Sequence, residues 1–403
     1  MIIKGNFVLN SGVKKTAVKI DRRSGTIKKI NCLRKPDITY PDTCLIFPGF
    51  IDLHVHARED QSREHLYKED FRTCSLAAVN GCVSALGEMP NNPLPPVDAL
   101  SYKQKKKLAR KSLVPVLLYG AVGPGTRPFS KTIPYKVFMG PSVGPLYYRN
   151  DNRLIAALKD YRSCYLSIHA EADAVLKKNK NKTKHYQKRP PQAEIKAVTT
   201  ALALIKKYPR LHLKFCHVST PEAAELIYQY KKNYSLTTEV TPHHLFFNTR
   251  DNKNKLLNVN PPLRSESKRK KLLNLFKKNY FDFLVTDHAP HTLTEKKKGK
   301  PGLPLLDTYG LFVTWLLKQN TSPQTILNCC CRNPGRFLQK FDKVRRGEIR
   351  TGYRADLAVL DLHTPHTFKQ KEIKSKCGWS PFQGFTFPGS VKAFYLKGKK
   401  LQL

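Results

Sequence analysis

Two histidines separated by one residue close an apolar stretch early in the chain. His54 and His56 follow the run at positions 45–53, whose composition predicts a buried strand. Residues i and i+2 of a strand share a face, so both imidazoles should point to the same side. A pair of neighbouring imidazoles is a common metal-ligand arrangement. An isolated His-x-His is equally typical of ordinary histidines, so the interpretation depends on further ligands elsewhere.

Further polar residues lie within or at the ends of later apolar segments. They are Lys136, His169, His217 and Asp287. Together, four histidines and an aspartate suit a hydrolytic zinc centre, because such ligands hold the metal and leave positions for water. An ammonium group repels a cation, but a lysine buried beside metals could lose its proton and form a carbamate with carbon dioxide. The alternative is a lysine that reaches solvent or pairs with a carboxylate.

Apolar β-rich segments alternate with helical patterns through the middle of the chain. Eight candidate strands begin near positions 45, 82, 113, 135, 164, 211, 237 and 281. Helical patterns cover positions 64–80, 98–111, 192–208 and 222–232. This alternation predicts an α/β fold, a (β/α)8 TIM-type barrel with its active site at the carboxyl ends of the strands.

Short alternating segments at both ends of the chain predict a small second unit. Positions 1–44 read as hairpin strands, and positions 348–362 and 390–401 show the same pattern. So few strands at either end are not stable alone, so we expect them to pair in one composite β-domain. The predicted division is 1–44 and 341–403 for the β-domain, and 45–340 for the barrel.

Composition limits the class of protein. The 403 residues are 40% hydrophobic, and no apolar run approaches the roughly 18 residues of a membrane span. The first residues lack the pattern of a signal peptide, so we expect a cytoplasmic protein without a membrane partner. The ten cysteines include no Cys-x-x-Cys pair, which is typical of buried thiols and not of disulfides.

The formal net charge of +42 is the unusual feature of the composition. Lysine-rich runs lie at positions 105–107, 177–184, 268–271 and 296–300. Nucleic acid, an acidic partner or an anionic substrate would all be attracted to such a surface. The runs lack the interleaved aromatic residues of a base-stacking surface, which favours solvated lysine faces over a nucleic-acid partner.

Eight short motifs, in order, resemble the dihydroorotases of the amidohydrolase superfamily, of the class I-like type. The motifs are His54-Val55-His56 with Arg58-Glu59, Met89-Pro90-Asn91, and the segments 136–140, 217–220, 239–245, 260–264, 286–291 and 375–382. This resemblance covers nearly the whole chain. It implies a binuclear zinc hydrolase that interconverts dihydroorotate and N-carbamoyl-L-aspartate in pyrimidine biosynthesis.

The resemblance also implies a role for each matching residue. His54, His56 and Asp287 would hold one Zn²⁺, and His169 and His217 the other. N6-carboxylated Lys136 and a hydroxide would bridge the two ions, and Asp287 would move the proton in catalysis. The residues implied in substrate binding are Arg58, Asn91 and His291 for the carboxylate, and Asn260, Pro301 and Gly302 for the ring.

Several positions depart from the family pattern. Asp60-Gln61 replaces the usual proline and glycine, Asn92 stands where threonine or serine is usual, and Asp307 stands where glutamate is common. A dihydropyrimidinase-like or allantoinase-like activity is the alternative within the superfamily. A buried Arg58 argues against it, because an arginine without an anion would be costly. A catalytically silent binding protein is disfavoured because all six ligand positions are filled. Homodimerisation and association with aspartate transcarbamoylase stay open.

Overall fold

A computed structural model describes residues 1–141, 146–148 and 151–402. The first five strands are β1 (Ile2–Leu9), β2 (Gly12–Asp21), β3 (Thr26–Ile30), β4 (Ile38–Thr39) and β5 (Cys44–Pro48). The barrel strands follow: β6 (Phe50–Val55), β7 (Val83–Glu88), β8 (Val116–Leu118), β9 (Gly120–Ala121), β10 (Tyr135–Phe138), β11 (Tyr165–His169), β12 (His212–Phe215), β13 (Leu236–Val240) and β14 (Phe283–Leu284). The last strands are β15 (Leu357–Asp361), β16 (His366–Thr367), β17 (Thr386–Phe387), β18 (Ser390–Leu396) and β19 (Lys399–Leu401).

Helices lie between the barrel strands and after the last of them. They are α1 (Phe71–Asn80), α2 (Ala99–Leu108), α3 (Asp151–Ala157), α4 (Asp173–Lys178), α5 (His185–Lys188), α6 (Pro191–Lys207), α7 (Pro221–Tyr230), α8 (Pro242–Phe246), α9 (Glu266–Lys277), α10 (Leu293–Lys297), α11 (Tyr309–Lys318), α12 (Pro323–Leu327) and α13 (Asn333–Asp342). A helix was expected to begin near position 64, but α1 begins only after Asp70. The Asp70 side chain accepts a hydrogen bond from the backbone of Thr73, and this capping box fixes the start.

The barrel strands pair in parallel and in chain order. β6, β7 and β8 form one run, and β9 to β14 form the other. β8 and β9 are separated only by Tyr119, so together they act as the third barrel strand. The first and last barrel strands meet at an isolated parallel bridge between Val55 and His288, whose carbonyl accepts a 2.8 Å hydrogen bond from the His56 amide. The structure thus confirms the predicted (β/α)8 architecture.

The two ends of the chain share one sheet. Its order is β19, β18, β15, β5, β1, β2 and β3, with β4 paired to β1. Fully buried Phe7, Ile46 and Leu357 form part of its core. Burying such side chains contributes ~1.5–3 kcal/mol each, enough to hold the termini together. The composite β-unit is confirmed, whereas the boundaries at residues 44 and 340 stay a prediction.

The interior of the barrel is packed with apolar side chains at its lower end. Ile51, Phe283 and Val285 meet Phe337 and Leu338 of α13, which plug the barrel from below. Polar groups lie above this layer, at the carboxyl ends of the strands, as the barrel architecture requires.

Among the described helices, none combines the length and the hydropathy that a membrane span needs.

Candidate metal centre and active site

One cavity of about 470 Å³ opens at the carboxyl ends of the barrel strands. All twelve residues singled out from the sequence line it, together with His65, Lys68, Phe138, Pro141, Ala289 and Lys300. The twelve are His54, His56, Arg58, Asn91, Lys136, His169, His217, Asn260, Asp287, His291, Pro301 and Gly302. Residues from seven separate chain segments thus meet in one place. Their individual roles stay predictions.

His54, His56 and Asp287 form one group of potential ligands. Asp287 Oδ1 lies 3.1 Å from His56 Nε2 and 3.3 Å from His54 Nε2. One ligand atom from each residue lies within 4.8 Å of the others, and all three side chains are buried. Burial raises the pKa of Asp287 to about 8 and lowers the pKa of His54 to about 3. Neutral imidazoles keep their lone pairs, so this group is suited to a cation.

His169 and His217 form a second pair beside the first group. His169 Nδ1 lies 3.1 Å from His217 Nε2, and the His217 ring centroid is 5.2 Å from that of His54. His169 Nε2 lies 2.9 Å from Glu171, and Arg189 contacts the same carboxylate. Burial opposes ionisation of Glu171, but Arg189 and His169 outweigh it and hold its pKa well below the usual range. A carboxylate on the far nitrogen orients a metal-ligating histidine, and Glu171 has that position.

Lys136 lies fully buried in the same cavity. Its Nζ is 2.8 Å from Cys216 Sγ and 5.2 Å from the centroid of the Phe138 ring. Among the described residues, no carboxylate lies within 4.0 Å of this ammonium group. Lys136 therefore lies among the candidate ligands with the Cys216 thiol as its close polar neighbour.

Glu239 and Lys214 form a buried ion pair beneath the histidines. Glu239 Oε2 lies 2.7 Å from His54 Nδ1, and its other oxygen contacts Lys214 Nζ. Lys214 also donates to the Tyr119 hydroxyl at 3.0 Å. Burial opposes ionisation of Glu239, but Lys214 outweighs it and lowers the pKa of the carboxyl below its usual range. An ionised Glu239 keeps the His54 proton on Nδ1 and leaves Nε2 facing Asp287.

Three residues at the strand ends have left-handed backbone conformations. Arg58 has φ 59°, His217 has φ 36° and Asp287 has φ 49°. Such values are uncommon for residues with side chains, and they concentrate at functional sites. Asp52 supports this geometry, since its carboxylate accepts hydrogen bonds from the backbone of His54 and of Thr286, each at 3.0 Å.

Arg58 and His291 also line the cavity and lie next to each other. The Arg58 guanidinium lies 3.4 Å from His291 Nε2, and both side chains are buried. His291 Nδ1 lies 3.3 Å from Glu295, which also accepts from Tyr67 at 2.9 Å and pairs with Lys68 at 2.8 Å. Glu295 thus orients His291 toward Arg58. Such a pair can hold an anion between them.

Gly302 shapes the wall of the cavity near the predicted ring contacts. It has φ +135°, and a Cβ at this position would lie 2.4 Å from the carbonyl oxygen of Ala289. Only glycine fits there without moving the backbone. Asn260 lies on the neighbouring wall, where its side-chain oxygen is 3.1 Å from His185 Nε2.

The sequence departures have structural counterparts. Asp60, where a proline is usual, is buried and accepts hydrogen bonds from the Ser62 and Leu94 amides, each at 2.8 Å. The Asp60 side chain therefore stabilises the turn after the first barrel strand, and it also links this turn to the loop after the second barrel strand. Asp307 does not line the cavity. It accepts from the Asn80 side chain and the Lys374 amide at 2.9 and 2.8 Å, which is a structural role.

The sequence interpretation did not assign roles to Glu239, Lys214, Glu295, Glu171 or Lys68. Glu239 lies at the start of a quoted motif, and Glu295 follows His291 by one helical turn, so their positions carried a signal. Lys214 carried none, because a lysine in an apolar strand pattern reads as an exposed residue.

Comparison with known proteins agrees with this geometry. The Amidohydrolase family model matches residues 150–401. The chain is 33% identical to a dihydroorotase of Pyrococcus abyssi over 99% of its length and 94% of the relative's. It is 32% identical to a dihydroorotase of Thermococcus kodakarensis over 99% of its own length and 93% of the relative's. An L-hydantoinase (dihydropyrimidinase) structure from Arthrobacter aurescens is similar in fold, with a TM-score of 0.88 at 23% identity over 99% and 95% of the chains.

Proposed function

Since the chain belongs to the amidohydrolase family and groups there with the dihydroorotases, we propose that it catalyses the reversible cyclisation of N-carbamoyl-L-aspartate to (S)-dihydroorotate. It is a cyclic amide hydrolase that acts on a small molecule. This reaction belongs to pyrimidine biosynthesis. Ring opening adds water across the amide between the ring nitrogen and the ring carbonyl carbon, and ring closure removes it.

The observation that carries the proposal is the state of Arg58. Its guanidinium is buried, lines the cavity, and has no carboxylate within 4.0 Å among the described residues. Its Nε also has no hydrogen-bond partner there. A buried arginine is stable only when an anion is paired with it. Dihydroorotate and N-carbamoyl-L-aspartate carry a carboxylate that can pair with Arg58, whereas dihydrouracil has none.

The donor set fits two metal ions. His54, His56 and Asp287 would hold one, and His169 and His217 the other, with Lys136 in its N6-carboxylated form between them. We propose Zn²⁺ at both positions, because imidazole and carboxylate ligands suit it. When bound, the two ions and a bridging hydroxide would supply a nucleophile at neutral pH and polarise the amide carbonyl. Carboxylation of Lys136 would turn a repelled ammonium group into an anionic ligand.

The chain's own residues have distinct tasks in this proposal. Arg58 and His291 bind the substrate carboxylate, together with Asn91, and so fix the scissile amide over the metal centre. Asn260, Pro301 and Gly302 contact the ring. The Asp287 carboxylate accepts a proton from water and passes it to the leaving ring nitrogen, and in cyclisation it reverses both transfers.

A dihydropyrimidinase-like or allantoinase-like activity is the second candidate, because the Arthrobacter enzyme has a similar fold. That likeness is below 25% identity and shows the fold alone. The dihydroorotase relatives are similar over nearly the whole chain at 32–33% identity, which favours the first candidate.

Paired activity and metal measurements test the proposal. Purified protein is assayed with dihydroorotate and with N-carbamoyl-L-aspartate, before and after chelation and again after addition of zinc. We expect turnover in both directions, close to two zinc ions per chain, loss of both activities on chelation and recovery with zinc. Full activity in chelated protein, or no turnover of either compound by the zinc-loaded protein, would contradict it.

A further inference from the structure

A second and larger cavity lies next to the active site. Its volume is about 770 Å³, and it lies between α5, the loop at residues 249–258 and the end of α10. Six cationic side chains line it: Lys184, Lys188, Arg250, Lys253, Lys255 and Lys298. The lining includes no aspartate or glutamate. Positive charge is therefore concentrated around one concave surface.

These six cations lack the ion pairs that other lysines of the chain make. Lys268 pairs with Glu222, and Lys231 pairs with Asp282 at 2.5 Å. Among the described residues, no carboxylate lies within 4.0 Å of any of the six. The nearest acidic residue in sequence is Asp251, whose carboxylate instead accepts a 2.8 Å hydrogen bond from the Asn248 amide. The mutual repulsion of the six cations would be relieved by a bound anion.

The remaining lining adds surfaces of another kind. Tyr186 is a partly buried aromatic residue of the lining, with Lys184 Nζ 6.0 Å from its ring centroid, and Leu257, Pro262 and Leu263 add apolar contacts. The cavity is many times larger than a single phosphate and falls within the ~300–1,000 Å³ of small-molecule sites. Cations spread over such a volume match a chain of phosphates better than one anionic group. An apolar and aromatic portion beside them matches an organic ring.

We propose that this cavity binds a small polyphosphorylated molecule of the nucleoside triphosphate class. The cations hold the phosphates, and Tyr186 with the apolar side chains holds the base. This site is separate from the catalytic cavity and goes beyond the proposed function.

The two cavities share a wall, so a ligand bound in the second can affect the shape of the first. Asn258 lines the second cavity, and its backbone carbonyl accepts a 2.8 Å hydrogen bond from the Gly302 amide. His185 also lines it and lies 3.1 Å from the Asn260 side chain. Gly302 and Asn260 line the catalytic cavity. A ligand that shifts Asn258 or His185 therefore changes the walls around the substrate ring, and we expect the KM for dihydroorotate to change on binding.

Direct binding of inorganic tripolyphosphate and of ATP tests the proposal. Calorimetry is carried out at 0.15 M salt, where the Debye length is about 8 Å and scattered surface charges are largely screened. We expect one site per chain, with ATP bound at least as tightly as tripolyphosphate. The variant Lys184→Gln, Lys253→Gln, Lys298→Gln should bind at least tenfold more weakly. Calorimetry measures binding without turnover, so a failure of the ligand proposal can be told apart from a failure of the proposed function.

A matched variant controls for overall charge. Lys28, Lys29 and Lys399 are exposed on the terminal sheet, remote from the cavity, and replacing them with glutamine removes the same charge. We expect less than a twofold change in affinity. Equal losses in the two variants, or no binding by the unaltered protein, would overturn the proposal. A duplex oligonucleotide that outcompetes ATP and binds both variants equally would assign the charge to a nucleic-acid surface. An unchanged KM in ATP-saturated protein would refute the link to the active site.

Discussion

The Glu239 carboxylate lies 2.7 Å from His54 Nδ1, and its other oxygen contacts Lys214. This one side chain therefore connects a candidate metal ligand to a buried cation in the barrel. His54, Cys216 and Glu239 also place one ligand atom each within 4.8 Å of one another. His54 is thus shared by two groups of potential cation ligands, and the contact with Lys214 favours Glu239 as a support for His54.

Replacing Lys214 with methionine should redirect metal binding. Without the ammonium group, Glu239 becomes free to ligate a cation with His54 and Cys216. In the cobalt-substituted variant we expect thiolate-to-cobalt absorption in the near ultraviolet, and a roughly 10–100-fold loss of affinity at the original centre. Lys231→Met is the control, because it removes a lysine from the Lys231–Asp282 pair away from the site. A cobalt spectrum and metal affinity equal to those of the unaltered protein would contradict this prediction.

Lys136→Ala should lose the paired metal centre. The variant lacks the nitrogen that would be carboxylated, so we expect metal content to fall below two ions per chain and turnover to be nearly abolished. A companion measurement uses the unaltered protein. Zinc should restore activity to the metal-free form faster with bicarbonate than in carbon dioxide-free buffer, because the carbamate must form first. Full activity in Lys136→Ala, or recovery indifferent to bicarbonate, would argue for an unmodified lysine.

Glu295→Gln should weaken substrate binding. Glu295 holds His291 Nδ1 at 3.3 Å and aims Nε2 at Arg58, so the neutral amide should loosen that geometry. We expect KM for dihydroorotate to rise about tenfold, with a smaller change in kcat. Glu222→Gln, which breaks an exposed pair with Lys268, is the control and should change neither constant. Equal KM values in the two variants would show that Glu295 does not position His291.

Lys296 should make stability depend on pH. Burial lowers its pKa from the ordinary value of 10.5 to about 7, while two backbone carbonyls accept from its Nζ. A folded pKa below the unfolded pKa means that the unfolded chain binds the proton more tightly between these values. Burial of Lys296 therefore lowers the free energy of unfolding by its full amount below about pH 7, and this destabilisation disappears as pH rises toward 10.5.

The free energy of unfolding of the unaltered protein minus that of Lys296→Met should therefore increase from pH 7 to pH 9.5. The increase should be on the order of 2–3 kcal/mol. Denaturant titrations at several pH values measure it, and the subtraction removes the titration of other groups. A difference that is constant with pH would show that Lys296 is charged in the folded protein.

The sequence predicted which residues meet in the cavity better than it predicted the residues that support them. The carboxyl ends of the strands of one barrel lie close together, so residues that end separate strands are expected to be neighbours. This reasoning identified His54, His169, His217 and Asp287. Their supports are set by tertiary contacts: Glu239 meets His54 across 185 positions, and Lys214 is stable inside the barrel only because Glu239 and Tyr119 pair with it. The start of α1 at Phe71 was missed because its Asp70 cap lies within a longer helical pattern.

Substrate preference tests the central claim most directly. The measurement is kcat/KM for dihydroorotate and for dihydrouracil, in the unaltered protein and in Arg58→Met. We expect the unaltered protein to prefer dihydroorotate strongly. Loss of the guanidinium should remove on the order of 3 kcal/mol of transition-state binding for dihydroorotate, about 150-fold, with little change for dihydrouracil. Faster hydrolysis of dihydrouracil than of dihydroorotate by the unaltered protein would contradict the dihydroorotase assignment and favour a dihydropyrimidinase.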